Sequence, residues 1–269
     1  MFKKTFLFAS IAGACMAPLA AQEAAQETEA PAASNPALEA VLEHVPTILD
    51  KKWKSTFHVQ GFEGENQMMD MTAAVKFQDK KHFAIDLNLT TQDEFEGDMT
   101  MTFSVVADGT YIYITSPNMA EVSQGMMSGP VKVELALFEK MMGSQMGGMA
   151  GAEGFDKDAI AKALKEQLGQ FTFKEEGSGE GLRRFVMAKD EVTGHMSFEK
   201  EHWFLSSAEI VMGTEGKAVI NTSENAVVEA FPEGTFTFTA AIGETVMDLT
   251  PMIQMSMPQE EVAEEDLEF

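Results

Sequence analysis

In three consecutive segments between residues 68 and 109, apolar and polar residues alternate almost one by one. The segments read MMDMTAAVKFQ, HFAIDLNLTTQ and DMTMTFSVVADG, and short connections join them. Because successive side chains of a strand point to opposite faces of a sheet, this pattern predicts strands with one apolar face and one polar face. Connections too short for a crossover make the predicted sheet antiparallel.

The apolar face of these strands is rich in methionine and phenylalanine, whereas a purely structural core favours valine, isoleucine and leucine. Thioether side chains repack around irregular apolar ligands, so the composition favours a ligand-holding cavity. The alternative is an ordinary core in a chain biased towards methionine. The predicted ligand-lining residues are Phe57, Val59, Met69, Met71, Val75, Phe77, Ile85, Leu87, Leu89, Met99, Met101, Phe103, Val105, Phe236 and Phe238.

Further elements follow from local signals elsewhere in the chain. The D-G pair in VVADGTYIYITSP predicts a turn between two strands, and GTFTFTAA, at 234–241, predicts a late strand. Asn35 as a cap and Pro36 in the first turn predict an N-terminal helix, and DKDAIAKALKEQLG predicts another that ends at Gly169. A further helix is predicted from Val131 to Met142.

An antiparallel sheet of this size must cover its apolar face, either by closing into a barrel or by curling around helices. Only a few helices are predicted. The sequence therefore predicts an α+β fold that is mainly antiparallel β, a curved incomplete β-barrel of about 10–11 strands with helices covering the concave face. Such a sheet leaves room for a ligand.

The N-terminus, MFKKTFLFASIAGACMAPLAAQ, has the features of a secretory signal peptide: two lysines, a short apolar stretch and small residues before the expected cleavage after Ala21. This predicts a periplasmic protein. The alternative is a membrane anchor through a lipid on Cys15, because AGAC partly resembles a lipobox. The predicted organisation is a signal peptide at 1–21, a disordered linker at 22–36, a ligand-binding domain at 37–258 and an acidic disordered tail at 259–269.

The formal net charge of −24 argues against nucleic acid and anionic membrane surfaces as partners, since phosphates repel an acidic chain. The sequence contains no nucleophile elbow, phosphate loop, dinucleotide motif or metal-ligand spacing. We therefore expect no enzymatic activity, no cofactor and no metal site, and a monomer. A methionine-based Cu(I) site is a weaker hypothesis, because no histidine or cysteine accompanies the methionines.

The C-terminal segment FPEGTFTFTAAIGETVMDLTPM resembles the closing segment of the LolA-like periplasmic lipoprotein carriers. The resemblance lies in an F-x-F strand, a turn and a hydrophobic–acid pair, here Phe236, Phe238, Gly243, Val246 and Asp248, with Ala241 where the family usually has proline. The segments VVADGTYIYITSP and VTGHMSFEKEHWFLSSAEIVMGTEGKAVINTSE resemble the family's hairpin before its lid and its late meander. The resemblance covers nearly the whole predicted domain.

The resemblance implies an incomplete barrel around an apolar cavity that shelters the acyl chains of a lipid or lipoprotein during envelope trafficking. It also implies an inner-membrane donor and an outer-membrane receptor as partners. Relatives on the same fold sense envelope stress, so a non-transporting sensor or interaction protein is the alternative. Proteobacterial carriers latch their lid with an early arginine; the two arginines here, Arg183 and Arg184, come late, and the latch is not transferred.

The segment FEKMMGSQMGGMAGAEGF, at 138–155, joins the two predicted central helices and combines glycine with methionine. We interpret it as a flexible apolar flap at the cavity mouth. The predicted lid residues are Leu135, Phe138, Met141, Met142, Met146 and Met149.

Changing Met141, Met142, Met146 and Met149 together to serine should weaken lipid retention and leave folding largely intact, because a flap contributes apolar contact to the ligand and little to the core. Native mass spectrometry of the purified protein measures retained lipid, and urea unfolding measures stability. If the four changes unfold the protein, the segment is core.

Overall fold

The computed structural model describes residues 35–93, 97–123, 125–138, 140, 157–179, 181–214 and 216–256. The strands are β1 (Trp53–Glu63), β2 (Asn66–Asp79), β3 (His82–Asp93), β4 (Gly97–Asp108), β5 (Tyr111–Thr115), β6 (Val131–Glu134), β7 (Thr172–Gly179), β8 (Leu182–Lys189), β9 (Val192–Glu199), β10 (Leu205–Met212), β11 (Gly216–Val227) and β12 (Met247–Asp248). The helices are α1 (Pro36–His44), a 3-10 helix (Val45–Asp50), α2 (Met119–Val122), α3 (Lys157–Leu168) and α4 (Thr250–Ser256). No helix in these ranges is long and apolar enough to cross a membrane.

All of these strands belong to one sheet, in the order β12-β6-β5-β4-β3-β2-β1-β11-β10-β9-β8-β7. Neighbouring strands are antiparallel except β12 and β6, which pair in parallel. The sheet is not closed, because β7 and β12 stand at opposite ends of the order. The structure confirms the predicted fold class, a curved incomplete barrel of the α+β type, with 12 strands.

The strand register gathers the predicted apolar residues on one side of the sheet, here called the inner face. One row across four strands contains Phe57, Ala73, Leu87 and Phe103. The next row contains Val59, Met71, Leu89 and Met101. Residues that pair in register share a face, so the alternation in sequence becomes a continuous apolar surface in the sheet.

The inner face of β7 to β11 forms a buried core. Phe185 is 1% exposed, and its ring lies 5.5 Å from Phe173, 5.8 Å from Phe198 and 6.2 Å from Trp203, centroid to centroid. Val41 of α1 belongs to the same cluster, so the N-terminal helix covers this half of the sheet. Helix α3 packs beside α1 and the 3-10 helix.

Helix α1 is fixed to the sheet at both of its ends. At the start, the Asn35 side chain accepts hydrogen bonds from two backbone N–H groups of the first turn and donates to the carbonyl of Phe173, at 2.8 Å. At the end, the His44 ring stacks on Trp203 with centroids 4.7 Å apart. The predicted cap at Asn35 is confirmed, and it also ties the helix to edge strand β7.

The predicted helix from Val131 to Met142 is wrong at its start. Residues 131–134 form strand β6, and a helical turn begins only at residue 135. Val131 and Val133 pair with Ile114 and Ile112 of β5. Two β-branched residues that face the buried side of a neighbouring strand favour the strand over the helix suggested by local periodicity.

The predicted strand at 234–241 is also wrong, because residues 233–236 form a turn and 237–240 have no regular structure. This part of the chain crosses the other side of the sheet, the outer face. Phe238 stacks on Tyr113 with centroids 4.6 Å apart, and Phe236 packs edge-on against Phe231 at 5.1 Å. Ring packing on an existing sheet, rather than pairing with a strand, sets its path.

Phe185→Ala should lower the free energy of unfolding by about 3–5 kcal/mol, because it removes a ring from the centre of the buried cluster. Arg184→Ala is the matched control, since Arg184 is exposed on the same strand and should change stability by less than about 0.5 kcal/mol. Urea unfolding of both variants measures the difference, and equal stabilities would contradict this assignment of the core.

Candidate functional site

The inner face of β2, β3 and β4 is only partly covered. Seven apolar side chains there, half-buried or exposed, form what we call the open trough: Met69, Met71, Leu87, Leu89, Met99, Met101 and Phe103. Met99 is 47% exposed. Clusters of partly exposed apolar side chains on a folded protein are typical of ligand or partner sites. This surface is therefore the candidate site.

Burial changes along the strands that form the trough. At one end, Phe77, Phe83 and Ala107 are between 0% and 8% exposed and pack with Leu135. At the other end, the row that contains Met99 opens to solvent. The trough is thus closed at the end where β2 finishes and open at the end where β4 begins.

A polar network lies on the inner face where β1 meets β11, while Met69 and Met71 of the trough pack on the core under α1. The buried Ser55 hydroxyl donates to the Asn225 side-chain oxygen at 2.6 Å, and the Asn225 amide donates to Glu199 at 2.8 Å and to Thr222 at 2.9 Å. The Thr222 hydroxyl in turn donates to the backbone carbonyl of Leu205. Ser55 is buried and the other members are half-buried, and each has a hydrogen-bond partner, so the network ties β1 to β9, β10 and β11.

Trp53 lies at the closed end of the trough, in the first position of β1. Its ring stacks on Phe77 with centroids 5.6 Å apart and meets Phe204 edge-on at 6.0 Å. It packs against the buried cluster of Phe57, Ala73 and Val75, as do Ile85 and Leu87, which continue towards the open end. The indole Nε1 is buried and has no hydrogen-bond partner within the described ranges.

Arg183 lies on the covered half of the sheet, away from the trough. Its guanidinium donates two hydrogen bonds to Glu175, at 3.0 and 2.7 Å, and lies 4.6 Å from the centroid of Trp203. The hydrogen bond from Arg183 holds the pKa of the Glu175 carboxyl below its ordinary value. The arginine therefore joins edge strand β7 to β8 and to the core beneath α1.

The predicted ligand-lining residues fall into two groups. Thirteen of them lie on the inner face, from Phe57 to Val105, and seven of the positions there form the trough. Phe236 and Phe238 lie on the outer face against His82 and Tyr113, apart from the others.

Two of the six predicted lid residues lie in the described part of the chain. Leu135 and Phe138 pack on the buried cluster at the closed end of the trough. Met141, Met142, Met146 and Met149 lie outside the described residues.

A second concavity lies on the outer face, between the sheet and the crossing segment. It has a volume of about 430 Å³ and is lined by Gln78, His82, Asp108, Phe231, Pro232, Glu233, Gly234, Thr235, Phe236 and Thr237. The Asp79 carboxylate lies 3.0 Å from His82 Nδ1 at its margin. This polar lining does not suit an acyl chain, which needs apolar contact. Within the described ranges, no group of three or more histidine, cysteine, aspartate or glutamate residues is placed to hold a metal ion.

Sequence patterns did not single out Trp53 or the Ser55–Asn225 network. Asn225 contacts a residue 170 positions away in the chain, and Asn225 reaches Glu199 across β10. Such pairs depend on strand order, which local alternation does not encode. The one available signal was a tryptophan at the start of an alternating segment.

No protein-family model matches the chain, and no curated protein matches it. Among solved structures it is similar to LprF from Mycobacterium bovis, with 10% identity over 74% of this chain and 97% of that chain and a TM-score of 0.41. It is also similar to a LolA superfamily protein from Nitrosomonas europaea, with 10% identity, 75% and 98% coverage and a TM-score of 0.30. MucB gives 10% identity, 79% and 66% coverage and a TM-score of 0.41.

Asn225→Ala should destabilise the protein by about 1–3 kcal/mol, because it leaves the buried Ser55 hydroxyl and the half-buried Glu199 carboxylate without their partner. Asn221→Ala on the same strand is the control, since Asn221 is exposed. Urea unfolding compares the two variants. An equal loss in both would mean that the Ser55–Asn225 network contributes nothing specific to stability.

Proposed function

We propose that this chain is a periplasmic carrier that shelters the acyl chains of a lipid or lipoprotein in the open trough during envelope trafficking. The trough itself carries the proposal. It presents a continuous apolar surface on three neighbouring strands, and the described helices and the buried clusters leave it partly exposed. Exposed apolar surfaces of this kind are typical of binding sites.

The dimensions of the trough suit an acyl chain. From Met99 to Phe103, four residues at about 3.4 Å each give a length of roughly 14 Å. Each buried CH₂ contributes about 0.8 kcal/mol, so a long chain left in water costs on the order of ten kcal/mol or more. An apolar surface of this length offsets part of that cost.

A carrier must also release its ligand, and the lining of the trough supports this. Four of its seven residues are methionines: Met69, Met71, Met99 and Met101. Methionine has three rotatable bonds and a polarizable sulfur, so it adapts to an irregular ligand without one fixed geometry. Such a lining holds chains of different shape and lets them leave without unfolding the sheet.

The acidity of the chain supports transfer through protein partners. A net charge of −24 opposes close approach to an anionic membrane, so direct pickup from the bilayer is unfavourable. An inner-membrane donor and an outer-membrane receptor would remove this barrier. The residues that direct export, the cleavage position after Ala21 and the alternative anchor at Cys15, lie outside the described residues, and both remain part of the proposal.

Leu89→Glu combined with Met101→Glu should reduce retained lipid roughly tenfold or more, because the two side chains face each other in the trough and carboxylates desolvate poorly. Asn88→Glu with Thr102→Glu is the matched control: these residues also face each other, on the same two strands, but on the outer face. Native mass spectrometry of each protein, purified from the envelope of the host, measures bound lipid.

A wild-type protein that carries no lipid, and takes up none from added lysolipid, would contradict the carrier. Equal lipid loss in both double variants would remove the trough as the site. Lipid that binds but never passes to acceptor vesicles or a receptor would favour the alternative, a non-transporting envelope sensor or interaction protein.

A further inference from the structure

We propose that the indole N–H of Trp53 donates a hydrogen bond to the carbonyl of the bound acyl chain. The trough would then select ester- or amide-linked chains over chains without a carbonyl and over free fatty acids. This inference rests on the proposed function, because it concerns the same site.

The indole N–H of Trp53 is a buried donor. Nε1 is buried and has no hydrogen-bond partner in the part of the chain that the structure describes. Phe77 on one side and Phe204 at the edge hold the ring in place, so the N–H group cannot turn to solvent without breaking these contacts. Buried donors are nearly always paired, because leaving one unpaired costs the full desolvation of the group.

The polar side chains near Trp53 differ from it, because they have hydrogen-bond partners. Ser55, Asn225 and Thr222, on the same face of the sheet, have partners among themselves and their neighbours. An indole N–H is a donor only, so its missing partner must be an acceptor. A carbonyl oxygen meets this need without bringing a second donor into the apolar interior.

The apolar surroundings of Trp53 favour an uncharged acceptor. The side chains packed around Trp53 belong to apolar clusters that include Leu49, Phe77 and Ile85. A carboxylate in such surroundings loses far more in desolvation than one neutral N–H returns. A neutral ester or amide carbonyl is therefore favoured over the carboxylate of a free fatty acid.

Trp53 lies at one end of the trough. The row of Trp53, Phe77 and Phe83 marks the closed end, and Ile85 and Leu87 lead from it towards Met99. A carbonyl at Trp53 therefore places the hydrocarbon along the trough. Nε1 is buried, although Trp53 as a whole is half-buried. A carbonyl therefore reaches Nε1 only when a neighbouring apolar side chain moves aside.

Two lysophosphatidylcholines test the inference, one with a hexadecanoyl ester and one with a hexadecyl ether, because they share the headgroup and differ at the carbonyl. The wild-type protein should bind the ester about three- to tenfold more tightly than the ether, the range expected for one neutral hydrogen bond. Trp53→Phe should bind both with the affinity of the ether. Trp203→Phe, in the covered half of the sheet, should keep the preference.

The indole resonance of Trp53 provides a second measurement that needs no change at Trp53. In the Trp203→Phe protein it is the only indole signal, since the chain has 2 tryptophans. Its N–H proton should move downfield with the ester and stay in place with the ether. This result would support the inference even if Trp53→Phe failed to fold.

Three outcomes would overturn the inference. One is a wild-type protein that binds ester and ether equally, and another is a Trp53→Phe protein that keeps the preference. The third is an indole proton in contact with water in both the free and the ester-bound protein, which would mean that a buried water satisfies the donor. In all three the carrier proposal stands, whereas binding of neither lipid would remove the carrier proposal as well.

Discussion

The structure depends on one constraint: a single open sheet has more apolar inner face than the described helices cover. Helix α1, the 3-10 helix and α3 pack together, and α1 contributes Val41 to the core of β7 to β11. The inner face of β2 to β4 keeps half-buried methionine and leucine side chains instead. Burial of apolar area is the main stabilising term in folding. A ligand that covers the exposed part of this face therefore gains free energy of binding from the same effect.

The two halves also differ in how their polar groups are satisfied. Where β1 meets β11, Ser55, Asn225 and Thr222 form a network whose members all have partners. At the closed end of the trough, the Trp53 donor has none within the described ranges. A satisfied network gives rigidity, whereas an unsatisfied donor favours whatever brings an acceptor. The satisfied network and the unpaired indole therefore have opposite roles on one continuous face.

The sequence predicted the inner face of β2 to β4 because burial on one side forces the period of two. The same alternation misled at 234–241, where phenylalanine and threonine also alternate but no strand edge is paired. At Val131 and Val133 the helix prediction was wrong, because pairing with β5 outweighs a local pattern. Residues that act through distant partners, such as Asn225 with Ser55, could not be found from local pattern at all.

The two ends of the trough differ in rigidity, and this difference suits a carrier. Trp53 is held between Phe77 and Phe204, so a donor there has a fixed position. The open end is lined by methionines, including the exposed Met99, whose side chains have many conformations of similar energy. A polar linkage is the same in many lipids, while the hydrocarbon varies in length and unsaturation. A fixed donor at one end and an adaptable lining at the other therefore recognise the shared part of the ligand and tolerate the variable part.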